Sequence, residues 1–294
     1  MTELLASAAI TGLILGGLYG AVAVGLSLIF GIIRVVNFAH GAFLMMAMYA
    51  SFWLWHFFKI SPYLSILFVG PLFFLFGYAV QDIIIKPMFV RERALVVEPI
   101  GVLLLMAGFD LVLSNLALLL FKSDYRAVTL AGVKGISLGF VDLNIPRLVV
   151  FLLAFAITGG IYWLLKYTHI GIVIRSVGQN REAAALCGIN VYRIYNFTFG
   201  LGVAAVAVAG AAITPFYYVN PSMGLSLGVK SFIVVVLGGL GSVPGALLGG
   251  LILGLVESVA AQFVTATSSA IFSFLLFIIV MFWKPKGLAG VLET

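Results

Sequence analysis

The stretch LLASAAITGLILGGLYGAVAVGLSLIFGII, residues 4–33, decides the fold: thirty residues pass without a charge. A helix rises about 1.5 Å per residue, so roughly 20 apolar residues cross a hydrocarbon core about 30 Å thick. The only charge before this run is Glu3. A cleavable signal would need a basic start and an apolar stretch of only about 7–15 residues. The segment is therefore expected to remain in the membrane.

The rest of the chain agrees with its opening. Of 294 residues 63% are hydrophobic and 9% charged, where a soluble domain carries about 25% charged residues. Too few charges remain to clothe a water-facing surface, which excludes a soluble enzyme, a disordered tail and a fibrous protein. Further apolar runs stand at 35–58, 62–85, 99–121, 148–165, 194–215, 231–263 and 268–283. Backbone in lipid must satisfy its own hydrogen bonds, and these runs are continuous rather than alternating, so they are helices and not barrel strands. The expected fold is an all-α, polytopic integral membrane bundle of about 8 segments, a single membrane domain over 1–294.

Lys and Arg orient such a chain. Lys86, Arg91 and Arg93 follow the third run, Lys166, Arg175, Arg181 and Arg193 the fifth, and Lys284 and Lys286 the last. These clusters are expected in the cytoplasm, with 122–147 and the N-terminus outside. Gly132, Gly135 and Gly139 among β-branched residues predict a small external hairpin. The net charge of +6 comes from these scattered cations, without the basic stripe and interleaved aromatics that nucleic acid would need. The one cysteine, Cys187, excludes an internal disulfide, and no Cys/His cluster has metal-ligand spacing.

Two places read as broken helices: Arg34 to Gly41, and Gly238-Gly239-Leu240-Gly241-Ser242-Val243-Pro244-Gly245. Glycine and proline at this density interrupt a helix, and the stretch 230–263 is expected to enter the membrane and return at these glycines. Irregular backbone at membrane depth is tolerated only when it is buried or lines a cavity. Asn37-x-x-His40-Gly41 is echoed by Asn220-Pro221-Ser222-Met223-Gly224, and the two lie on opposite sides in the expected topology, as in an inverted repeat. Asn37, His40 and Asn220 at half-helix ends, with Gly238, Gly239 and Gly241 as close backbone, are candidates for a translocation path; capping and packing inside the bundle is the alternative role. Gly12, Gly16 and Gly20, and Gly241, Gly245 and Gly249, form stripes expected to let helices approach closely.

Asp110 and Glu257 fall in apolar runs, where ionisable groups are costly and mark function by default. Asp110 is either a proton or cation site, which would make the chain an ion-coupled transporter acting alone, or a carboxyl bonded to Asn115 or a neighbouring helix. Glu257 is expected near the outer boundary. His40, His56 and His169 are scattered, no H-E-x-x-H is present and the G-x-S-x-G spacing is not met, so no catalytic or metal site is expected and the chain reads as no enzyme. Without a G-x-x-x-x-G-K-[ST] it cannot hydrolyse ATP through a P-loop. Cofactors are expected to be none in this chain, with ATP bound by partner subunits.

The segment 166–195 is the most informative. Arg181 to Cys187 favours helix and Gly188 stops it. Its alanines would let it seat in another protein's groove, with Arg181 and Glu182 setting the register by charge; a solvated loop is the bland alternative. Glu182-Ala183-Ala184-x-x-x-Gly188 resembles the coupling loop of ABC-importer permeases, although the downstream I-x-L-P part is missing, Thr198 standing ten residues past Gly188. Gly17-Leu18-Tyr19-Gly20, Asn37-Phe38-Ala39-His40-Gly41, Thr168-x-x-Gly171 and Val236 to Gly245 resemble the LIV-type permeases of branched-chain amino acid ABC importers, over nearly the whole length and least in 50–160. That resemblance implies a pore-forming subunit in a bacterial inner membrane, working with two ATP-binding subunits, a second homologous permease or another copy of itself, and an external solute-binding protein. ATP-driven closure would reach the bundle through Arg181, Glu182, Ala183, Ala184 and Gly188. Leucine-like amino acids are the implied substrate, with urea, amides and other small solutes open.

Overall fold

The computed structural model describes residues 2–91, 100–129, 136–137 and 142–289. Arg93, Gly132, Lys134, Gly135 and Gly139 lie outside the described residues. The chain folds as a helical bundle: α1 (Thr2–Ile33), α2 (His40–Phe58), α3 (Pro62–Val80), a π-helical turn (Gln81–Ile85), α4 (Lys86–Arg91), α5 (Ile100–Phe121), α6 (Ile145–Tyr167), α7 (His169–Gln179), α8 (Arg181–Leu186), α9 (Val191–Ile213), α10 (Met223–Gly238), α11 (Val243–Ala260) and α12 (Ala266–Trp283). Among the described residues, seven helices are long and apolar enough to cross a membrane, and two apolar helices near the C-terminus are shorter. Of the expected hairpin, the described residues show a two-residue antiparallel ladder, Ile136 opposite Leu143 and Ser137 opposite Asp142.

The run read as 231–263 is two helices, and the first begins earlier, at Met223. Glycine explains the break. Gly239 and Gly241 have φ of +106° and +86°, a region that costs L-residues strain. Ser242 then caps α11 by accepting from the Gly245 N–H at 3.1 Å, with Pro244 in the first turn. The hairpin tip reaches the far end of the bundle. A methyl group on Gly31 would stand 2.8 Å from the Gly241 Cα, and Leu288 and Ala289 donate backbone hydrogen bonds to the Leu237 and Gly238 carbonyls. The end of α1, α7, the α10–α11 turn and the chain after α12 therefore share one end, which the Lys/Arg distribution assigns to the cytoplasm.

The core is an exchange between two helix triplets of opposite direction. The most extensive packing is α1 against α11, and next comes α3 against α9; α1 also packs on α10 as α9 packs on α2. Exchanging α1, α2 and α3 with α9, α10 and α11 leaves this pattern unchanged, which is the signature of an inverted repeat. The pseudo-axis passes through reciprocal glycine contacts. A methyl on Gly41 would collide with the Gly224 carbonyl, and one on Gly224 with that of Gly41; Gly25 and Gly202 oppose each other in the same way. The Asn37/Asn220 echo thus corresponds to two helix starts, α2 and α10, that meet backbone to backbone.

The Gly12, Gly16 and Gly20 stripe packs on α11, where its partners are Gly254, Gly250 and Leu247. With no water to expel, such contact rests on dispersion and close backbone approach. A Cβ on Gly254 would strike the Gly16 N and Cα and the Gly12 carbonyl, so Gly254→Ala is expected to destabilise the chain by about 3 kcal/mol, the upper end for overpacking. Gly108→Ala, with nothing within 4 Å of the added methyl, should leave thermal unfolding in detergent unchanged.

Candidate coupling surface and membrane-depth polar groups

The segment between α6 and α9 is built from strong local signals. The Thr168 hydroxyl accepts from the Gly171 N–H at 3.0 Å and starts α7. Asn180 ends α7 and caps α8, its Oδ1 accepting from the Glu182 and Ala183 N–H groups at 3.0 Å each. At the other end Gly188 (φ +81°) donates to the Ala185 carbonyl and Ile189 to the Ala184 carbonyl, the Schellman closure that needs a left-handed residue. The short helix is therefore held in place by capping at both ends.

Its faces divide unequally. Ala184 is 5% exposed, turned into the bundle where α8 meets α7 and α9. Arg181, Glu182, Ala183 and Gly188 are exposed. Leu186, which the sequence pattern did not single out, is 90% exposed. Beside α8 lies a cavity of about 220 Å³ lined by Arg34, Phe89, Gly178, Arg181, Glu182 and Tyr195 among others. The structure so brings Arg181 and Glu182 to the rim of a cleft that continues to the end of α1.

The candidate path residues separate into three places. Asn37 and His40 are fully buried between α1 and α2. His40 Nε2 is 2.8 Å from the Val22 carbonyl oxygen, while His40 Nδ1 and both side-chain polar atoms of Asn37 have no hydrogen-bond partner. Asn220 is joined by Ser222, whose hydroxyl donates to Asn220 Oδ1 at 2.8 Å. It lines a cavity of about 370 Å³ with Ser114, Asn115, Ser123 and Tyr125, at the end opposite α8, where Arg126 and Val219 exchange backbone hydrogen bonds. Gly238, Gly239 and Gly241 sit at the hairpin tip: Gly238 faces Gly245, Gly239 faces Gly287 and Gly241 faces Gly31. Their closeness serves helix packing at this end.

Asp110 is partly exposed on α5. Asn115, one of its expected partners, instead donates to the Leu111 carbonyl at 2.8 Å. Glu257 is only 9% exposed, inside α11 and 2.7 Å from Lys230 Nζ on α10. Lys230 was not recognised from sequence, because it stands at the edge of the run taken to begin at 231 and its partner is 27 residues away. A lone lysine between Val229 and Ser231, in an otherwise apolar stretch, is the signal that could have found it. No group of His, Cys, Asp and Glu among the described residues could hold a metal.

Comparison with known proteins adds to this geometry. Residues 8–281 match the family model described as branched-chain amino acid transport system / permease component. The chain is 30% identical to the high-affinity branched-chain amino acid transport system permease protein LivH of Escherichia coli (strain K12), over 95% of this chain and 93% of that protein. It is 28% identical to the corresponding BraD protein of Pseudomonas aeruginosa, over 96% and 94%. A partial similarity, 35% over 33% of this chain and 32% of the other, links it to the ribose import permease protein RbsC of Haemophilus influenzae. No solved structure matches.

Proposed function

The chain belongs to the family of branched-chain amino acid transport permease components, and from that premise we propose that it is the membrane-spanning subunit of a bacterial inner-membrane ABC importer for leucine, isoleucine and valine. Two ATP-binding subunits, a second permease and an external solute-binding protein complete the machine. ATP stays on the partner subunits, and this chain supplies a path and two conformations rather than catalysis.

The observation that carries this reading is α8. A six-residue helix capped at both ends, set in the Lys/Arg-bearing segment between α6 and α9 and with Leu186 90% exposed, has the form of a docking knob, because a leucine held out from the bundle outside the apolar runs gains when a partner covers it. Its backing by Ala184 against α7 and α9 gives a route by which motion of a docked subunit moves whole helices. The cleft of Arg34, Phe89 and Tyr195 beside it gives those helices room to shift.

The test is reconstitution of this chain with its ATP-binding subunits and binding protein in proteoliposomes. Uptake of labelled leucine that requires ATP, and persists when ion gradients are collapsed, is the expected result. Asp110→Asn should import within about twofold of wild type, as a partly exposed position outside the coupling contacts does. Uptake by the permease alone, driven by an ion gradient and lost in that variant, would replace the importer reading with a secondary transporter.

A further inference from the structure

At the cytoplasmic end of the bundle, polar groups that coupling does not use gather between the π-helical turn and the start of α9. Asp82, in the π-helical turn, is the joint. Its Oδ1 accepts from Lys86 Nζ at 2.7 Å and from Asn196 Nδ2 on α9 at 2.9 Å. Such π turns are rare in helices and collect at functional sites. Beside the joint lies a cavity of about 340 Å³ lined by Tyr78, Asp82, Lys86, Tyr192, Arg193 and Asn196 among others, within the size range of small-molecule sites.

The groups that line this cavity leave hydrogen bonds unmade. Asn196 is 3% exposed, yet its Oδ1 has no hydrogen-bond partner, and a buried amide oxygen in that state calls for a donor. The Arg193 side chain is exposed and has no acceptor among the described residues. Lys86 and Arg193 against Asp82 leave one positive charge in excess. The chemistry that fits is an anion that also carries a hydrogen-bond donor.

One wall of the cavity leads into the membrane. The helical stretch that carries Tyr78, Asp82 and Lys86 is long and apolar enough to span it, as is α9. Leu75, three residues before Tyr78 and on the same face of α3, is exposed. Phe74 meets Phe197 of α9 edge-on with ring centres 5.5 Å apart, and its ring lies 6.4 Å from that of Tyr78. A small anion from water makes no use of such a wall, whereas an acyl chain covers it. Tyrosines such as Tyr78 and Tyr192 are placed at the level of lipid head groups, where basic pockets between helices on the cytoplasmic side hold anionic ones.

We propose that this cavity holds the head group of an anionic phospholipid with a hydroxylated head, phosphatidylglycerol. Its phosphate accepts from Arg193 and Lys86, which cancels the excess charge, and a glycerol hydroxyl donates to Asn196 Oδ1. An acyl chain runs along Leu75 and Phe74. The head group then bridges the π-helical turn and the first turns of α9, the helix that follows α8. This lipid is distinct from the transported solute, so the inference goes beyond the import reading and is tested without transport.

The test is lipid titration of the purified, delipidated full chain in detergent, with bound lipid counted by native mass spectrometry. Phosphatidylmethanol of the same acyl chains carries the same charge and no hydroxyl. It is expected to bind wild type about fivefold more weakly than phosphatidylglycerol, the worth of one neutral hydrogen bond. In Asn196→Leu the two lipids should bind alike. Arg193→Gln changes an exposed position and should weaken phosphatidylglycerol binding about tenfold or more, as a hydrogen bond to a charged group is lost. Equal binding of the two lipids by wild type reduces the site to general attraction between basic residues and an anionic surface, and overturns the proposal. Unchanged binding by Arg193→Gln does the same. Glycerophosphoglycerol, the same head without acyl chains, should not displace the lipid at equal concentration; displacement assigns the cavity to a soluble phosphodiester and overturns the lipid. Where Asn196→Leu does not fold, the wild-type comparison and Arg193→Gln decide.

Discussion

Leu186→Asp will abolish ATP-driven uptake while leaving the chain folded and inserted. Leu186 is 90% exposed, so the substitution removes no contact inside the bundle, and surface changes of this kind cost a fold little. In the docked complex the same carboxylate would be buried without a partner, at a cost of several kcal/mol. A loss of about 4 kcal/mol in docking is roughly 1,000-fold in affinity. Purification of the tagged permease should therefore recover no ATP-binding subunit, and uptake should fall at least 100-fold on the same scale. Glu182→Arg and Arg181→Glu reverse exposed charges at the edge of the same helix and should weaken coupling less, because rim charges act on register and encounter more than on affinity. Leu186→Met keeps the apolar knob and should retain uptake. Stoichiometric ATP-binding subunit recovered with Leu186→Asp would remove α8 as the docking element.

The contrast between α8 and the buried polar groups shows what a single sequence makes legible. Membrane class, the helices and the short segment ended by Gly188 follow from local features: uninterrupted apolar runs, the helix-favouring run Arg181 to Cys187, and Gly188 after it. The boundaries of α10 and α11 were harder, because glycine is both a helix breaker and a helix-packing residue in lipid. Gly238 and Gly245 serve the second role, at the hairpin formed by Gly239 and Gly241. The faint echo of Asn37 in Asn220 became an inverted repeat only through contacts such as Gly41 on Gly224, which no spacing along the chain encodes. Lys230 and Glu257 belong to the same category. Each charge looks incidental in its own helix, and only the return of the chain at Ser242 brings them together.

The two members of that pair are not equivalent, and their single substitutions should differ. Lys230→Met leaves Glu257 in the bundle with neither oxygen receiving a proton donor from lysine, the Oε2 atom being unpartnered already. Breaking a buried pair in this way costs about 3–5 kcal/mol, most of it the desolvation of the charge left behind. At this size, about 4 kcal/mol is a shift of roughly 8–16 °C in the unfolding midpoint. Glu257→Gln instead leaves Lys230 with the Tyr19 hydroxyl and ring, a glutamine oxygen as acceptor, and a flexible stem that can move the ammonium toward the outer surface. Its cost should be about half as large. The double variant, with neither charge, should recover most of the lost stability, because an apolar and an amide side chain carry no desolvation penalty of comparable size. Thermal unfolding of the four detergent-solubilised proteins gives the cycle directly. Equal losses for the two single substitutions, or a double variant as unstable as their sum, would mean that the two charges do not sense each other across the α10–α11 hairpin.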